Sequence, residues 1–263
     1  MKIAVLSDLQ LYRKPDRLLC ALRAAAGTDA LLLAGDLADR AQREQYELLL
    51  HHLRQELGSL PVYCVSGNHD NPARNDTEYR AFEAAIMPGN AARHESGAFY
   101  APLAPQTDLL GLNPAYHQKQ FFFPEKGSQL AFAEERLAAS PAQVHLLLCH
   151  PPLIAHNPQR TAAMQPYLTA EQDRRMQNLM DTHRRCILLS GHTHCAPTVE
   201  WDAQRCNLYL NCGSICPTDL PGTGLQQGNI TLLELTEGQI RVQIAGIHTG
   251  KLFAEQTFEI GKP

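Results

Sequence analysis

The sequence has no C-x-x-C pair, no excess of basic charge, no internal repeat and no low-complexity segment. It also has no apolar run approaching the roughly 20 residues that cross a bilayer as a helix. Each gap removes a class of function. Without C-x-x-C spacing, a thiolate zinc module lacks its usual signature. Cys20, Cys64, Cys149 and Cys186 sit in apolar runs, where a free thiol behaves as a small core residue, and the closer group Cys195, Cys206, Cys212 and Cys216 is read as free thiols too. A formal charge of -4, from 23 Lys and Arg against 27 Asp and Glu, argues against electrostatic capture of long nucleic acid. The opening residues, "MKIAVLSD", read directly as a strand rather than a cleavable signal, so a cytoplasmic protein is expected.

What is present is rhythm. In the first third, "KIAVLS", "ALLLAG" and "PVYCVSG" read as strands, separated by the helical periodicity of "DRLLCALRAA" and "REQYELLLHHLRQEL". This alternation is the signature of βαβ units and a parallel sheet buried on both faces. Further on, "SQLAFAEERLAA" predicts a helix, "VHLLLCH" a strand, "EQDRRMQNLMDTH" a helix and "RCILLSG" a strand. The last part, from "TVEWDA" and "NLYLNCGS" to "LFAEQTFEI", is expected to form successive antiparallel strands. The reading is one layered α/β domain, and 263 residues are enough to give it a sizeable core.

Five of the apolar runs end in polar residues able to hold a metal: Asp8 and Gln10, Asp36 and Asp39, Asn68 and His69, His150, then His192 and His194. In open α/β sheets ligands bind at the carboxyl ends of strands, so these tips are expected to converge. Carboxylate, imidazole and amide oxygen suit hard-to-borderline divalent ions such as Mn, Fe, Zn or Ni. Any one of these residues alone would more often be a capping or hydrogen-bonding group at a strand end; it is their joint occurrence that points to a metal.

The ordered series D-x-Q, G-D-x-x-D, G-N-H-D, H-P-P and G-H-T-H, from Asp8 to His194, resembles the calcineurin-like metallophosphoesterase superfamily. The resemblance implies a four-layer αββα sandwich, α/β in class, with two mixed β-sheets flanked by helices, and one domain over residues 1–263. It implies a dinuclear centre of two divalent metal ions, Mn or Fe foremost, with Zn, Ni or Mg as alternatives. Asp36 would bridge, Asp8, Gln10 and His194 would complete one site, and Asn68, His150 and His192 the other. His69 would face the substrate as general acid or transition-state stabiliser, with Asp70 orienting it and Asp39 acting from behind the ligands. Two such ions about 3.5–4 Å apart lower the pKa of a bridging water toward about 7 and clamp a phosphoryl oxygen. The substrate implied is small and phosphorylated, a phosphodiester or nucleotide pyrophosphate. Arg40 is a candidate phosphate contact, against an exposed arginine at a helix start.

The sequence departs from the family at Gln10, where most members carry histidine. A glutamine ligates through its carbonyl oxygen and is a weaker donor than imidazole, so the first site is expected to bind less tightly and to favour Mn or Fe. Two alternatives stand beside the phosphodiesterase or pyrophosphatase reading: a phosphoprotein or phosphomonoester phosphatase, suggested by "GDLADR", and a non-catalytic binding module with a decayed centre, suggested by Gln10. "YHQKQFFFPEKG", with Phe121, Phe122 and Phe123 beside Lys119 and Lys126, is read as a buried edge strand with a solvated rim in preference to a lid. Arg74 and Arg80 are read as a solvated helix face. His117 and His156 are candidate substrate contacts, set against surface or packing roles.

Overall fold

The first strand, β1 (Lys2–Leu6), is buried at four consecutive positions, Ile3 to Leu6, rather than at alternate ones. That is the burial of a strand covered on both faces, and β2 (Ala30–Ala34) and β3 (Val62–Val65) share it. The crossovers are α1 (Asp16–Ala25) and α2 (Arg43–Leu57). Helix α1 turns Leu18, Ala21, Leu22 and Ala25 inward and α2 turns Tyr46, Leu49 and Leu53, the three-and-four spacing of an apolar helical stripe. The computed structural model describes residues 1–11, 15–72, 75–124, 128–158, 167–216 and 228–261; Arg74 and Lys126 lie outside the described residues.

The chain continues through α3 (Thr77–Ile86), β4 (Ala92–Arg93), β5 (Phe99–Ala104), β6 (Thr107–Leu112), β7 (Ala115–His117), β8 (Gln120–Phe122) and α4 (Gln129–Ala139). Then come β9 (Val144–Cys149), a 3-10 turn at Ile154–His156, β10 (Tyr167–Leu168), α5 (Ala170–Thr182), β11 (Cys186–Ser190), β12 (Thr198–Asp202) and β13 (Asn207–Asn211). Strands β14 (Asn229–Thr236), β15 (Gln239–Gly246) and β16 (Leu252–Glu259) close the described chain. Helices α4 and α5 are capped at their starts, where Ser128 Oγ accepts from the amide of Ala131 and Thr169 Oγ1 from that of Gln172.

Two large mixed sheets result, one ordered β16-β15-β14-β1-β2-β3 and the other β12-β13-β11-β9-β6-β5-β4. Along β9 the side chains alternate: Leu146 and Leu148 join the cluster between the sheets, while Leu147 and Cys149 join the cluster beneath α4 and α5. Helices α1 and α2 cover the outer face of the first sheet, with α3 beside α2 and β3. This is the α/β arrangement of two mixed sheets flanked by helices that the motifs implied.

One expectation needs correcting. The antiparallel series breaks at β13, which pairs antiparallel with β12 as expected, Thr198 opposite Asn211, but lies parallel to β11 on its other side, with Ile187 opposite Leu208 and Ser190 opposite Asn211. The chain then leaves that sheet, and β14 pairs antiparallel to β1, with Ile3 opposite Leu233. Periodicity reports how many faces of a strand are buried but not which strand it pairs with, and β13, buried at all five positions, is an interior strand.

The "YHQKQFFFPEKG" segment forms the β7–β8 hairpin, and β8 is the middle strand of a small sheet ordered β10-β8-β7 rather than an edge. Phe121 and Phe123 are buried. The Phe123 amide donates to Gln172 Oε1 and Gln172 Nε2 donates back to the Phe123 carbonyl, both at 2.7 Å, which ties the hairpin to α5. Arg80 is bound within its own helical surface, 2.9 Å from Asp76 and 3.1 Å from Glu83. No helix among the described residues is long and apolar enough to cross a membrane.

Candidate metal centre

The predicted site residues follow the carboxyl ends of five parallel strands: β1, β2 and β3 of one sheet, β9 and β11 of the other. Their loops are laced together by the backbone. The Asp8 amide donates to the Gly35 carbonyl at 3.0 Å, Gln10 to Asp36 at 2.9 Å, and Gly191 to His150 at 2.9 Å. Of the nine non-glycine residues with positive φ among the described residues, five are predicted ligands: Asp8 (52°), Gln10 (39°), Asp36 (52°), His192 (71°) and His194 (49°). Each left-handed residue costs about 1–2 kcal/mol of backbone strain, and such strain gathers where side chains must be aimed at a functional site.

Those loops bring two donor groups together. Asp36, His150 and His192 form one, and Asp8, Asp36 and His194 the other, with the ligating atoms of each group within 4.8 Å of one another. Asp36 is common to both. Its Oδ2 lies 3.3 Å from His150 Nε2, while its Oδ1 accepts from the His69 amide at 2.8 Å. In the other group His194 Nε2 lies 3.2 Å from Asp8 Oδ1. The His150 ring is aimed from behind, because Nδ1 donates to the Ala34 carbonyl at 2.7 Å and Nε2 is left facing Asp36. Asp8 is anchored likewise through Oδ2, which accepts from Ser7 Oγ at 2.6 Å and from the His192 amide at 2.9 Å.

Three atoms in these residues, Asp8 Oδ1, Asn68 Oδ1 and His150 Nε2, are buried without a hydrogen-bond partner. An unsatisfied buried polar group costs about 1–3 kcal/mol, and three clustered at strand tips are accounted for if a cation completes them. The donor set, carboxylate oxygen with imidazole nitrogen, therefore fits divalent metal ions. The electrostatics agree. Burial acts to raise the Asp36 carboxyl, but the His150 imidazole, with His69 and His192, holds it well below its usual range. Burial pulls His150 down, and the Asp36 carboxylate reverses this and raises it to about 9. Burial also lowers His194, and its contact with Asp8 brings it back above its ordinary value.

Around this frame the structure revises several roles read from sequence. Asp70 does not orient His69. Its buried carboxylate accepts from the amides of Leu37, Ala38 and Gly67 at 3.0–3.1 Å and from the Tyr46 hydroxyl at 2.7 Å, and so staples the loops after β2 and β3 to α2. Burial and the nearby Asp36 charge push the Asp70 carboxyl up to about 6. The partner of the His69 ring is Asp39, whose carbonyl oxygen lies 2.7 Å from Nδ1 and whose carboxylate lies 3.8 Å away. Arg40 is exposed and donates from Nε to Asp39 Oδ2 at 3.2 Å, which places it at the rim beside His69. Gln10 lies beside the Asp8–Asp36–His194 group, with the end of its side-chain amide 3.1 Å from His194 Nε2. His117 is exposed on the hairpin, and His156 is engaged in packing, stacked on Tyr209 at 3.6 Å with Nδ1 2.8 Å from Glu200.

Some residues that shape the site carry no ligand signature. The Phe121 ring stands roughly perpendicular to the imidazoles of His150 and His192, with centroids 6.0 and 5.3 Å away. Asn211 accepts from Thr193 Oγ1 and donates to the Gly191 carbonyl, fixing the "GHTH" loop; "LNCGS" held that signal. Cys216, next to the same motif, donates from Sγ to Gln10 Oε1 at 3.1 Å. All eight cysteines are free thiols, and none belongs to a metal-binding group among the described residues.

Comparison with known proteins bears on both fold and family. The family model described as calcineurin-like phosphoesterase matches residues 1–196. No curated protein matches the sequence. Among solved structures, GAP50, the anchor in the inner membrane complex of Plasmodium, aligns with a TM-score of 0.59 and 13% identity over 100% of this chain and 89% of that one. A predicted phosphoesterase from Streptococcus pneumoniae aligns at 0.47 and 15% identity over 98% and 97% of the two chains. YfcE, a phosphoesterase from E. coli, aligns at 0.46 and 15% over 97% and 98%. At 13% identity the Plasmodium structure speaks for the fold alone.

Proposed function

Because the chain belongs to the calcineurin-like phosphoesterase family, we propose that it is a dinuclear metal-dependent phosphohydrolase acting on a small phosphodiester or nucleotide pyrophosphate. The observation that carries this reading is the pair of donor groups sharing Asp36. One group would hold each ion, with Asn68 added to the His150–His192 side, and Mn or Fe fits the mixed oxygen and nitrogen donors best. When bound, such a pair supplies an activated water at neutral pH and charge to offset that on the phosphoryl group.

The chain's own residues supply the rest. Asp36 holds the two halves of the site in register, since its carboxylate faces His150 and also receives the His69 amide. The Asp39 carbonyl fixes the His69 tautomer with the proton on Nδ1 and leaves Nε2 to exchange a proton with the leaving oxygen. Arg40, held to Asp39 at the rim, would reach a phosphate oxygen of a substrate bound beside His69. Loops after β1, β2, β3, β9 and β11 build the centre, and the exposed side of His69 gives a small ester access. The negative net charge favours small substrates over long nucleic acid.

The test is hydrolysis of bis-p-nitrophenyl phosphate by protein loaded with Mn. Wild-type protein is expected to turn over and Asp36→Asn to lose at least about 10²-fold in kcat, the scale of removing an electrostatic group from such a site. No turnover by loaded wild type, or unchanged turnover in the variant, would sink the reading. A panel of phosphomonoester, phosphodiester and nucleotide pyrophosphate substrates, run with Mn, Mg, Zn and Fe, then assigns substrate class and metal.

A further inference from the structure

The strand that delivers Asn68 and His69 is the last of its sheet. Strand β3 pairs with β2 on one side only, so the loop that follows it leaves the sheet at an edge. A residue from the other sheet covers that edge. Asn113 follows β6, which runs parallel to β9, and its strand tip stands beside the one that carries His150. The buried side-chain amide of Asn113 reaches across: Oδ1 accepts from the Ser66 amide at 2.6 Å and Nδ2 donates to the Gly97 carbonyl at 2.7 Å. A backbone N–H can only donate and a carbonyl can only accept, so these two partners fix which end of the amide faces β3. The backbone of Asn113 is held as firmly. Its N–H donates to Gln129 Oε1 at 2.7 Å, and its carbonyl accepts from Gln129 Nε2 at 2.8 Å. A second, independent observation points to a ligand: Asn68 Oδ1, just beyond Ser66 and Gly67, is buried without a hydrogen-bond partner.

We propose that Asn113 is a positioning residue for the metal centre: it clasps the start of the Gly67–Asn68–His69 loop from the second sheet, and so sets where Asn68 stands relative to His150 and His192. The inference rests on the dinuclear reading of the centre. On its inner side the loop is tied to its own sheet, through the His69 amide on Asp36 and the Asp70 carboxylate on the amides of Leu37 and Ala38. Those bonds relate it to β2 and not to the tips of β9 and β11. The Ser66–Asn113 bond does relate it to them, since β6, β9 and β11 belong to one sheet. A satisfied buried polar contact of this kind is rigid, and an apolar residue in its place would leave the Ser66 amide unpaired. Asn113 is no ligand itself, because both ends of its amide are turned to backbone groups.

Mn(II) binding, followed by the resonance of the free ion, reads this role without turnover, and scanning fluorimetry of the metal-free protein reads stability beside it. Wild-type protein is expected to bind two Mn. Asn113→Ala is expected to hold one of them as wild type does and to weaken the other about tenfold, the scale of one lost buried hydrogen bond. Asn113→Asp, which keeps an oxygen against the Ser66 amide and gives up the NH2 toward Gly97, is expected to lose Tm yet to hold both ions within about threefold of wild type. Tyr79→Phe removes the hydroxyl 3.1 Å from Asn113 Oδ1 and leaves the Ser66 bond, so it is the control for stability alone and is expected to keep both ions. Wild-type affinity for both ions in Asn113→Ala would overturn the proposal, as would an affinity that falls in step with Tm across all three variants. Should Asn113→Ala not fold, Asn113→Asp decides alone: loss of the second ion there, with the oxygen retained, overturns the clasp. Wild-type protein that binds fewer than two Mn would instead remove the dinuclear reading itself, and this inference with it.

Discussion

His69 reaches the centre twice, by its backbone and by its ring. Its amide donates to Asp36 Oδ1, so the loop holds the Asp36 carboxylate whatever the side chain does, while the ring is aimed by Asp39. The two contributions separate on mutation. His69→Ala is expected to keep the amide bond and the Mn stoichiometry but to lower kcat by about 10²-fold or more, the usual scale for a general acid. Loss of Mn binding in parallel with kcat would place His69 in the ligand set instead. The family resemblance pairs His69 with the adjacent Asp70, yet neighbours along a chain need not share a face. Asp70 turns into the protein toward Tyr46, and the ring finds Asp39, a residue thirty positions away. Chemistry was legible at this scale, but partnership was not.

Among the elements, the turns between strand and loop matter most. A Cβ on Gly67 would run into the Asp36 carboxylate and come within 2.5 Å of the Asp36 amide, and one on Gly35 would meet the His150 ring at 2.6 Å. These glycines leave space that Asp36 and His150 occupy. Gly67→Ala is expected to fold with reduced stability and to lose at least one Mn, because the obstructing atoms are the ligand itself and its backbone. Gly27→Ala, where nothing lies within 4 Å, is the control and is expected to bind Mn as wild type does. Equal Mn binding in both variants would mean that the loops yield more easily than their packing implies. Helix and strand positions followed closely from periodicity: α1 and α2 occupy the segments "DRLLCALRAA" and "REQYELLLHHLRQEL". The second neighbour of β13 did not: it pairs antiparallel with β12 as expected but also parallel with β11, and a run buried on both faces does not say which strand lies on its other edge.

Across the whole molecule, the centre joins two sheets whose strand tips bear charge, so its electrostatics couple metal binding to stability. Without metal, His150 is raised from 6.5 to about 9, so its stabilising contribution is complete below about 6.5 and is lost as pH rises through about 9. Asp36 is held below its ordinary 3.8, so its contribution is present above that value and is lost as pH falls. EDTA-treated protein is therefore expected to lose Tm between pH 6.5 and 9. Ligation requires the His150 Nε2 lone pair, so Mn affinity is expected to rise over the same interval and the gap in Tm between loaded and stripped protein to widen. Scanning fluorimetry at the two pH values checks both; a stripped protein with constant Tm would show that the Asp36–His150 pair is not charged in the fold.

The sequence by itself determined the kinds of donor atom, their order along the chain and their place after apolar runs, because each of these is a local property. The positions of Asp8, Asp36, His150, His192 and His194 were readable for that reason. Tertiary structure alone decided which of them meet, that Asp36 belongs to both groups, and that the Gln10 amide lies between His194 and Cys216. Those outcomes depend on contacts between residues far apart in sequence: Gln10 and Cys216 are 206 positions apart, and Asp36 and His150 come from different sheets. No local pattern encodes a distance across two sheets. It is set when the sheets pack and their strand tips converge.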